Sequence, residues 1–189
     1  MAYDAAATRR RLLDAAYEEF AAHGLAGARV DQIAATASAN KQAIYAYFGS
    51  KDDLFDAVLA DRMSVLADAA PFTPDDLPGY AGALFDALNS SPEVLRLARW
   101  RSLERADVAP TEVASHLEKA RAARHALGIA DDRTAVDVIE LVVALASTWS
   151  TIPDGLRAVG RTSKAARQRA HRMLVVGAVR ALVEALPTS

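Results

Sequence analysis

The sequence predicts an all-α fold of about nine helices, on three observations. Apolar residues recur at three- and four-residue spacing along nearly the whole chain. No stretch alternates apolar and polar with the period of two that a half-buried strand needs. The chain is alanine-rich, and its prolines and glycines gather at a few breaks instead of being spread through it.

Composition narrows the classes further. A chain of 189 residues with 52% hydrophobic residues can hold a small domain joined to a larger one. There is no cysteine, which excludes a disulfide and a thiolate metal site. The longest apolar run, Leu141 to Ala146, is far short of the ~20 residues a bilayer span needs. The first twenty residues carry arginines but no apolar segment with a cleavage site. A cytoplasmic protein without a membrane partner is expected. The net charge of −2 argues against a general coat for nucleic acid. In the first 52 residues Arg9, Arg10, Arg11, Arg29, Lys41 and Lys51 balance Asp4, Asp14, Glu18, Glu19, Asp31 and Asp52, so the basic groups act at particular points.

The first helix is expected from about Asp4 to Ala22, with Leu12, Leu13, Ala16 and Phe20 inward and Gly24 just beyond its end. In the second, Val30, Ile33, Ala34 and Ala37 form one apolar face. Ser38, Ala39 and Asn40 interrupt it, and Asn40 is placed to cap a third helix from Lys41. There Ile44 and Phe48 point one way, leaving Lys41, Gln42, Ala43, Tyr45 and Tyr47 on the flanks and outside. Helices this short do not hold themselves in water and must be pinned by neighbours. The pattern is that of a helix-turn-helix. Ser50 caps a fourth helix, with Asp53 at the capping-box position and Leu54, Val58, Leu59, Met63 and Leu66 apolar. Prolines 71, 74 and 78 close this unit. Further helices are expected at about 77–90, 92–106, 111–127, 133–151 and 163–186, separated by Pro92, Pro110, the 128–132 segment and the 152–163 segment.

From Arg9 to Leu54 the chain resembles the DNA-binding domain of the tetracycline-repressor (TetR) family. The residues that carry the likeness are RRRLLDAAYEEFAAHG, then Val30, Ile33 and Ala34, then AIYAYFGSKDDLF. The family's usual Leu-Tyr-aromatic-His-Phe core stands here as Ile44, Tyr45, Ala46, Tyr47 and Phe48, followed by Ser50, Lys51, Asp52 and Asp53. The resemblance implies a helix-turn-helix DNA-binding domain over 1–50 and a helical ligand-binding and dimerisation domain over 51–189. It implies a sequence-specific transcriptional regulator, a ligand-released homodimeric repressor on a near-palindromic operator. Its partners would be double-stranded DNA, a second copy of itself and a small-molecule effector, with no cofactor and no metal. Five positions depart from the family pattern. Ser38 stands at the turn position usually held by Gly. Ala28 and Arg29 precede the second helix in place of Thr or Ser. Ala43 stands where a hydroxyl is common, and Ala46 replaces a large aromatic. A relative's operator sequence is therefore not expected to carry over.

Sequence-specific binding needs phosphate contacts that set position and base-edge contacts that read sequence. Lys41 and Gln42, first in the recognition helix, are placed for base edges in the major groove. The Ala43 methyl would pack on a thymine methyl. Tyr45, Tyr47 and Lys51 are assigned to phosphates, with Arg29 and one of Arg9, Arg10 and Arg11 as further contacts. Half-buried aromatics and a solvated basic face are the plainer readings of the tyrosines and the arginine triplet.

In the 133–151 helix, Val138, Leu141, Val142, Leu145 and Trp149 cover one arc and Ile139, Val143 and Ala146 another, as in a helix buried on both sides. In the 163–186 helix, Met173, Val176, Val179 and Val183 form a stripe interleaved with Arg169, Arg172 and Arg180. The dimer interface is therefore expected to use Val138, Val142, Leu145, Met173, Val176, Val179, Arg180 and Val183. Candidates for an effector pocket are Met63, Phe85, Arg96, Trp100, Arg101, Glu104, His116 and Trp149. Arg101 faces either Glu104, three residues on, or an acidic effector. The two tryptophans serve either as core or as ligand platform. An enzyme finds no support, since no Gly-rich phosphate loop, nucleophile elbow or HExxH occurs and the histidines at 23, 116, 125 and 171 lack metal-site spacing. A helical small-molecule-binding or adaptor protein without DNA-binding activity is the alternative. It would not need the polar outer face of residues 41–48.

Overall fold

The computed structural model describes residues 5–104, 110–160 and 162–186. Among them every regular element is helical, as the sequence predicts. The helices are α1 (Ala5–Gly27), α2 (Val30–Thr36), α3 (Lys41–Phe48), α4 (Lys51–Ala69), α5 (Leu77–Ser90), α6 (Pro92–Glu104), α7 (Pro110–Leu127), α8 (Asp132–Ser147), α9 (Asp154–Arg157) and α10 (Lys164–Glu184). A 3-10 turn, Thr148–Thr151, extends α8. The one-turn α9 is the helix the periodicity did not indicate. The expected start at Asp4 and the last two residues of the expected 92–106 helix lie outside the described residues.

The chain forms two compact units. The first holds the chain as far as Val65 together with the segment beginning at Glu93; the second holds the rest. In the first unit α1 contributes Leu12, Leu13, Ala16 and Phe20, as expected from their spacing. Around them pack Ile33, Ala34, Ala37, Ile44, Leu54, Phe55 and Val58, and Leu97 of α6 joins the same core. The rings of Phe20 and Phe55 meet edge-on with centroids 5.0 Å apart.

Polar groups brace α1 against α4. The Arg10 guanidinium donates to Asp14 at 2.7 and 3.0 Å and to Asp61 at 2.9 Å. Arg62 of α4 also donates to Asp14, and its guanidinium lies 4.2 Å from the Tyr17 ring centroid. Burial pushes the Asp14 carboxyl up, but the hydrogen bonds and charges of Arg10 and Arg62 outweigh it and hold it below its ordinary value of 3.8. A depressed folded-state pKa means that the unfolded chain binds the proton first as pH falls. The contribution of Asp14 to stability is thus present above the ordinary carboxylate range and lost as pH drops through and below it. Urea unfolding of the native protein and of Asp14→Asn should show an advantage for the native carboxylate near neutrality that shrinks toward pH 3. An advantage independent of pH would show that the carboxylate charge is not what matters.

In the second unit α10 packs along α5, while α8 packs on α5, α7 and α10. Leu77, Tyr80, Leu84, Phe85 and Leu88 of α5 meet Ala135, Val138, Ile139, Val142 and Ala146 of α8 and Val175 and Val179 of α10 in its buried interior. The stretch 132–151 has the length and mean hydropathy, 1.3, of a membrane-crossing helix. Its inner face belongs to this interior, and Asp132, Arg133, Asp137 and Glu140 interrupt its outer face.

Candidate DNA-binding site

The site is built on α2, the turn and α3, held against α1. Ile33, Ala34 and Ala37 are buried, so α2 packs by the face its spacing predicts. The turn is made at Ser38, which takes φ 51, a left-handed conformation that a residue with a Cβ adopts at a cost. Backbone bonds from Ser38 N to Ala35 O (3.1 Å) and from Ala39 N to Ala34 O (2.9 Å) close it. Arg11 reaches across from α1 and donates to the Ala37 carbonyl at 3.2 Å and to Thr8 Oγ1 at 3.1 Å. The Asn40 side chain then caps α3 by accepting from Ala43 N at 2.8 Å. Arg29, at the cap position of α2, makes no side-chain cap bond. At the start of α4, Ser50 Oγ accepts from Asp53 N at 3.0 Å and donates to the Asp53 carboxylate at 2.6 Å.

Ile44 is fully buried and pins α3, while Phe48 and Tyr47 are half-buried beside it. The opposite face presents Lys41, Gln42, Tyr45 and Ala46 to solvent. It therefore offers an ammonium, a carboxamide, a phenol and a methyl side by side at the exposed end of a short, capped helix. Ala43 is half-buried at the edge of this face. In this state Lys41 Nζ lies 3.1 Å from Asp31 of α2, and Lys51 Nζ donates to the Ala26 carbonyl at 3.3 Å. Arg29 is exposed, with its own N–H given to Glu19 at 2.9 Å. Of the arginine triplet, Arg10 and Arg11 are engaged inside the unit, and Arg9 lies 5.2 Å from the Phe48 ring centroid.

Known proteins share this arrangement. A family model described as bacterial regulatory proteins, tetR family, matches residues 12–58. A second, described as tetracyclin repressor-like, C-terminal domain, matches residues 76–181, more than half the chain. The chain belongs to the TetR family. It is 42% identical over 158 residues to the HTH-type transcriptional repressor SCO4008 of Streptomyces coelicolor, covering 80% of this chain and 82% of that protein. It is also similar to the crystal structure of a transcriptional regulator, SCO4942, from the same organism. There the TM-score is 0.77 at 38% identity, over 96% of this chain and 99% of the other. A TetR-like regulator from Rhodococcus sp. RHA1 shares the fold, with a TM-score of 0.60 at 20% identity over 92% of this chain and 96% of the other. The chain is thus a DNA-binding transcriptional regulator, not an enzyme.

The pocket candidates of this TetR-family chain divide between the two units. Trp100 and Glu104 are drawn to the end of α1. Arg96 is exposed, Arg101 is buried in the first unit, and Met63 lies half-buried on α4. His116 pairs with Glu140 between α7 and α8. Phe85 and Trp149 each face His171, a residue that sequence spacing did not single out. Its ring centroid lies 6.0 Å from Phe85 and 5.4 Å from Trp149. Burial, with the nearby Arg167 charge, pushes the imidazole pKa down and favours the neutral form. Thr148 Oγ1 donates to the Leu145 carbonyl at 2.7 Å, so its contact with His171 Nε2 at 2.9 Å makes the imidazole the donor. Arg157 lies 5.4 Å from the Trp149 ring centroid. Beside this stack an open cleft of about 220 Å³ is lined by Phe85, Asp86, Ala165, Gln168, Arg169 and Arg172.

The interface candidates also divide. Val138, Val142 and Val179 are spent on the interior of the second unit, whereas Met173 and Arg180 are exposed. Leu145, Val176 and Val183 are half-buried. Leu141 and Leu174, the second of which the expected stripe omitted, stand out at 47% and 68% exposure.

Proposed function

We propose that this TetR-family regulator is a homodimeric repressor that binds a near-palindromic operator and is released by a small molecule. The observation that carries the reading is the outer face of α3: Lys41, Gln42, Tyr45 and Ala46 exposed around a buried Ile44 on a helix that Asn40 caps. Lys41 and Gln42 take the base edges, exchanging the Asp31 ion pair for a guanine or adenine edge. Ala43 lies near a thymine methyl. Tyr45, Tyr47, Lys51 and Arg29 take phosphates, which position without reading sequence. The word repressor belongs to the 42% identical relative and favours the same sense of regulation here.

Dimerisation rests on a second observation. The outer faces of α8 and α10 expose Leu141 and Ala144, and Ala170, Met173, Leu174, Gly177, Ala178 and Ala181. This is an apolar strip of small residues on which two α-helices can approach closely. A second copy would cover it in a two-fold arrangement, setting two recognition helices on successive turns of one face of DNA. The effector would settle in the cleft beside Phe85, where Arg169, and Arg172 next to its partner Asp86, suit a ligand with an anionic group. As a reader of chromosomal DNA the protein would act in the cytoplasm.

Selection of duplexes from a random pool by the intact protein tests the reading. Enriched duplexes should carry two inverted half-sites, and the protein should sediment as a dimer. Lys41→Ala should weaken binding to the selected duplex by about 1–3 kcal/mol per half-site and relax specificity at one base pair in each. No enriched duplex at low salt would overturn it, and enriched duplexes bound equally by Lys41→Ala would move the reading role to another residue.

A further inference from the structure

Helix α6 lies between α5 and α7 in sequence, within the region matched to the C-terminal family domain, yet it packs in the first unit. Its Leu97 is fully buried in the core of α1 and α4. Its last turn closes over the end of α1. Gly24 takes φ 70 and ψ −178, which ends the regular helix and starts a fresh turn at Leu25 and Ala26. The amides of such a turn lack a carbonyl four residues back. Glu104 supplies the acceptors: one carboxylate oxygen takes Leu25 N at 2.6 Å, and both oxygens lie 3.3 Å from Ala26 N. The Trp100 ring covers Gly24 so closely that a Cβ there would lie 2.8 Å from it.

We propose that Glu104 is a positioning residue for the recognition helix: by clasping Leu25 N and Ala26 N it fixes the direction in which α2 and α3 leave α1. The connection from Gly24 to Arg29 is only a few residues long and is gripped at three points. Glu104 of α6 holds its first two amides, Lys51 of α4 holds the Ala26 carbonyl at 3.3 Å, and Glu19 of α1 holds Arg29 N at 2.9 Å. Glu104 alone among these three comes from beyond α4. Helix α2 begins one residue after the last grip, so a shift at Leu25 is carried into the turn and α3. A charge-assisted bond of this length is strong and directional. A plain stabilising bond would change how much protein is folded, whereas a positioning bond changes how well the folded protein reads DNA.

The inference rests on the assignment of α3 as the DNA reader, and its test separates the two. The intact protein first selects a duplex from a random pool. Binding of Glu104→Ala and Glu104→Gln to that duplex is then measured well below the melting midpoint, where nearly all molecules are folded. Glu104→Ala should bind about tenfold more weakly, with poorer discrimination against single base-pair changes and faster amide exchange at Leu25 and Ala26. Glu104→Gln, which keeps one acceptor oxygen, should recover part of the affinity and the protection. If Glu104→Ala does not fold, the Gln variant carries the comparison alone. Native affinity and discrimination in folded Glu104 variants would overturn the positioning role while leaving the DNA reading intact. Failure of the native protein to select any duplex would overturn both.

Discussion

Phe20→Ala should lower the unfolding free energy of the first unit by about 3–5 kcal/mol. The ring is fully buried, meets Phe55 edge-on at 5.0 Å, and shares its cluster with Leu12, Ile33, Ile44 and Leu97. Truncation removes both the transferred apolar surface and the aromatic pair, and the residues around it belong to different helices that cannot all collapse into one void. The loss approaches the whole stability of a small domain, about 5–15 kcal/mol. Urea unfolding followed by circular dichroism reads the change, with Phe20→Leu as the milder comparison. A loss below about 1 kcal/mol would mean that the packing around Phe20 is not cooperative. DNA binding should fall with stability, because α2 and α3 are too short to persist without the core they rest on.

Most of the first unit is legible in the sequence because its signals are local. Ile33, Ala34 and Ala37 share one face by spacing alone, and Asn40 and Ser50 act within three residues of the amides they satisfy, those of Ala43 and Asp53. The outer face of α3 follows once Ile44 is known to be inside. What was not legible depends on distant partners. Glu104 looked like a mate for Arg101 on its own helix, but the amides freed at Gly24 are 78 and 79 residues away in sequence. The motif assigns Lys51 to phosphate, and the Ala26 carbonyl that its ammonium bonds at the end of α1 is 25 residues away in sequence. The phase of α10 is not legible for another reason. Its apolar and small residues run round most of the cylinder, so Val175 and Val179 or Met173 and Val176 serve equally as an inner stripe until α5 and α8 are in place. The four residues of α9 are too few to show any period.

Gly24→Ala should destabilise the first unit by about 2–5 kcal/mol, from two separable causes. The first is the backbone. With φ 70 and ψ −178, Gly24 occupies a region that is costly for any residue with a Cβ. The second is space: the added carbon would lie 2.7 Å from Glu104 Oε1 and 2.8 Å from Trp100 Cε3. Gly128 is a comparison free of the second cause, since it has φ 64 with nothing within 4 Å of a built Cβ. Gly128→Ala carries backbone strain alone, and its loss of about 1 kcal/mol should be the smaller. Trp100→Ala gives the complementary control. In the native background it opens a void over α1, but in the Gly24→Ala background it also removes a clash, so the double variant should be more stable than the sum of the singles predicts. Additive losses would show that the ring yields freely. In that case the strain at Gly24 and the nearby Glu104 carboxylate, rather than the Trp100 ring, are what reserve the position for glycine.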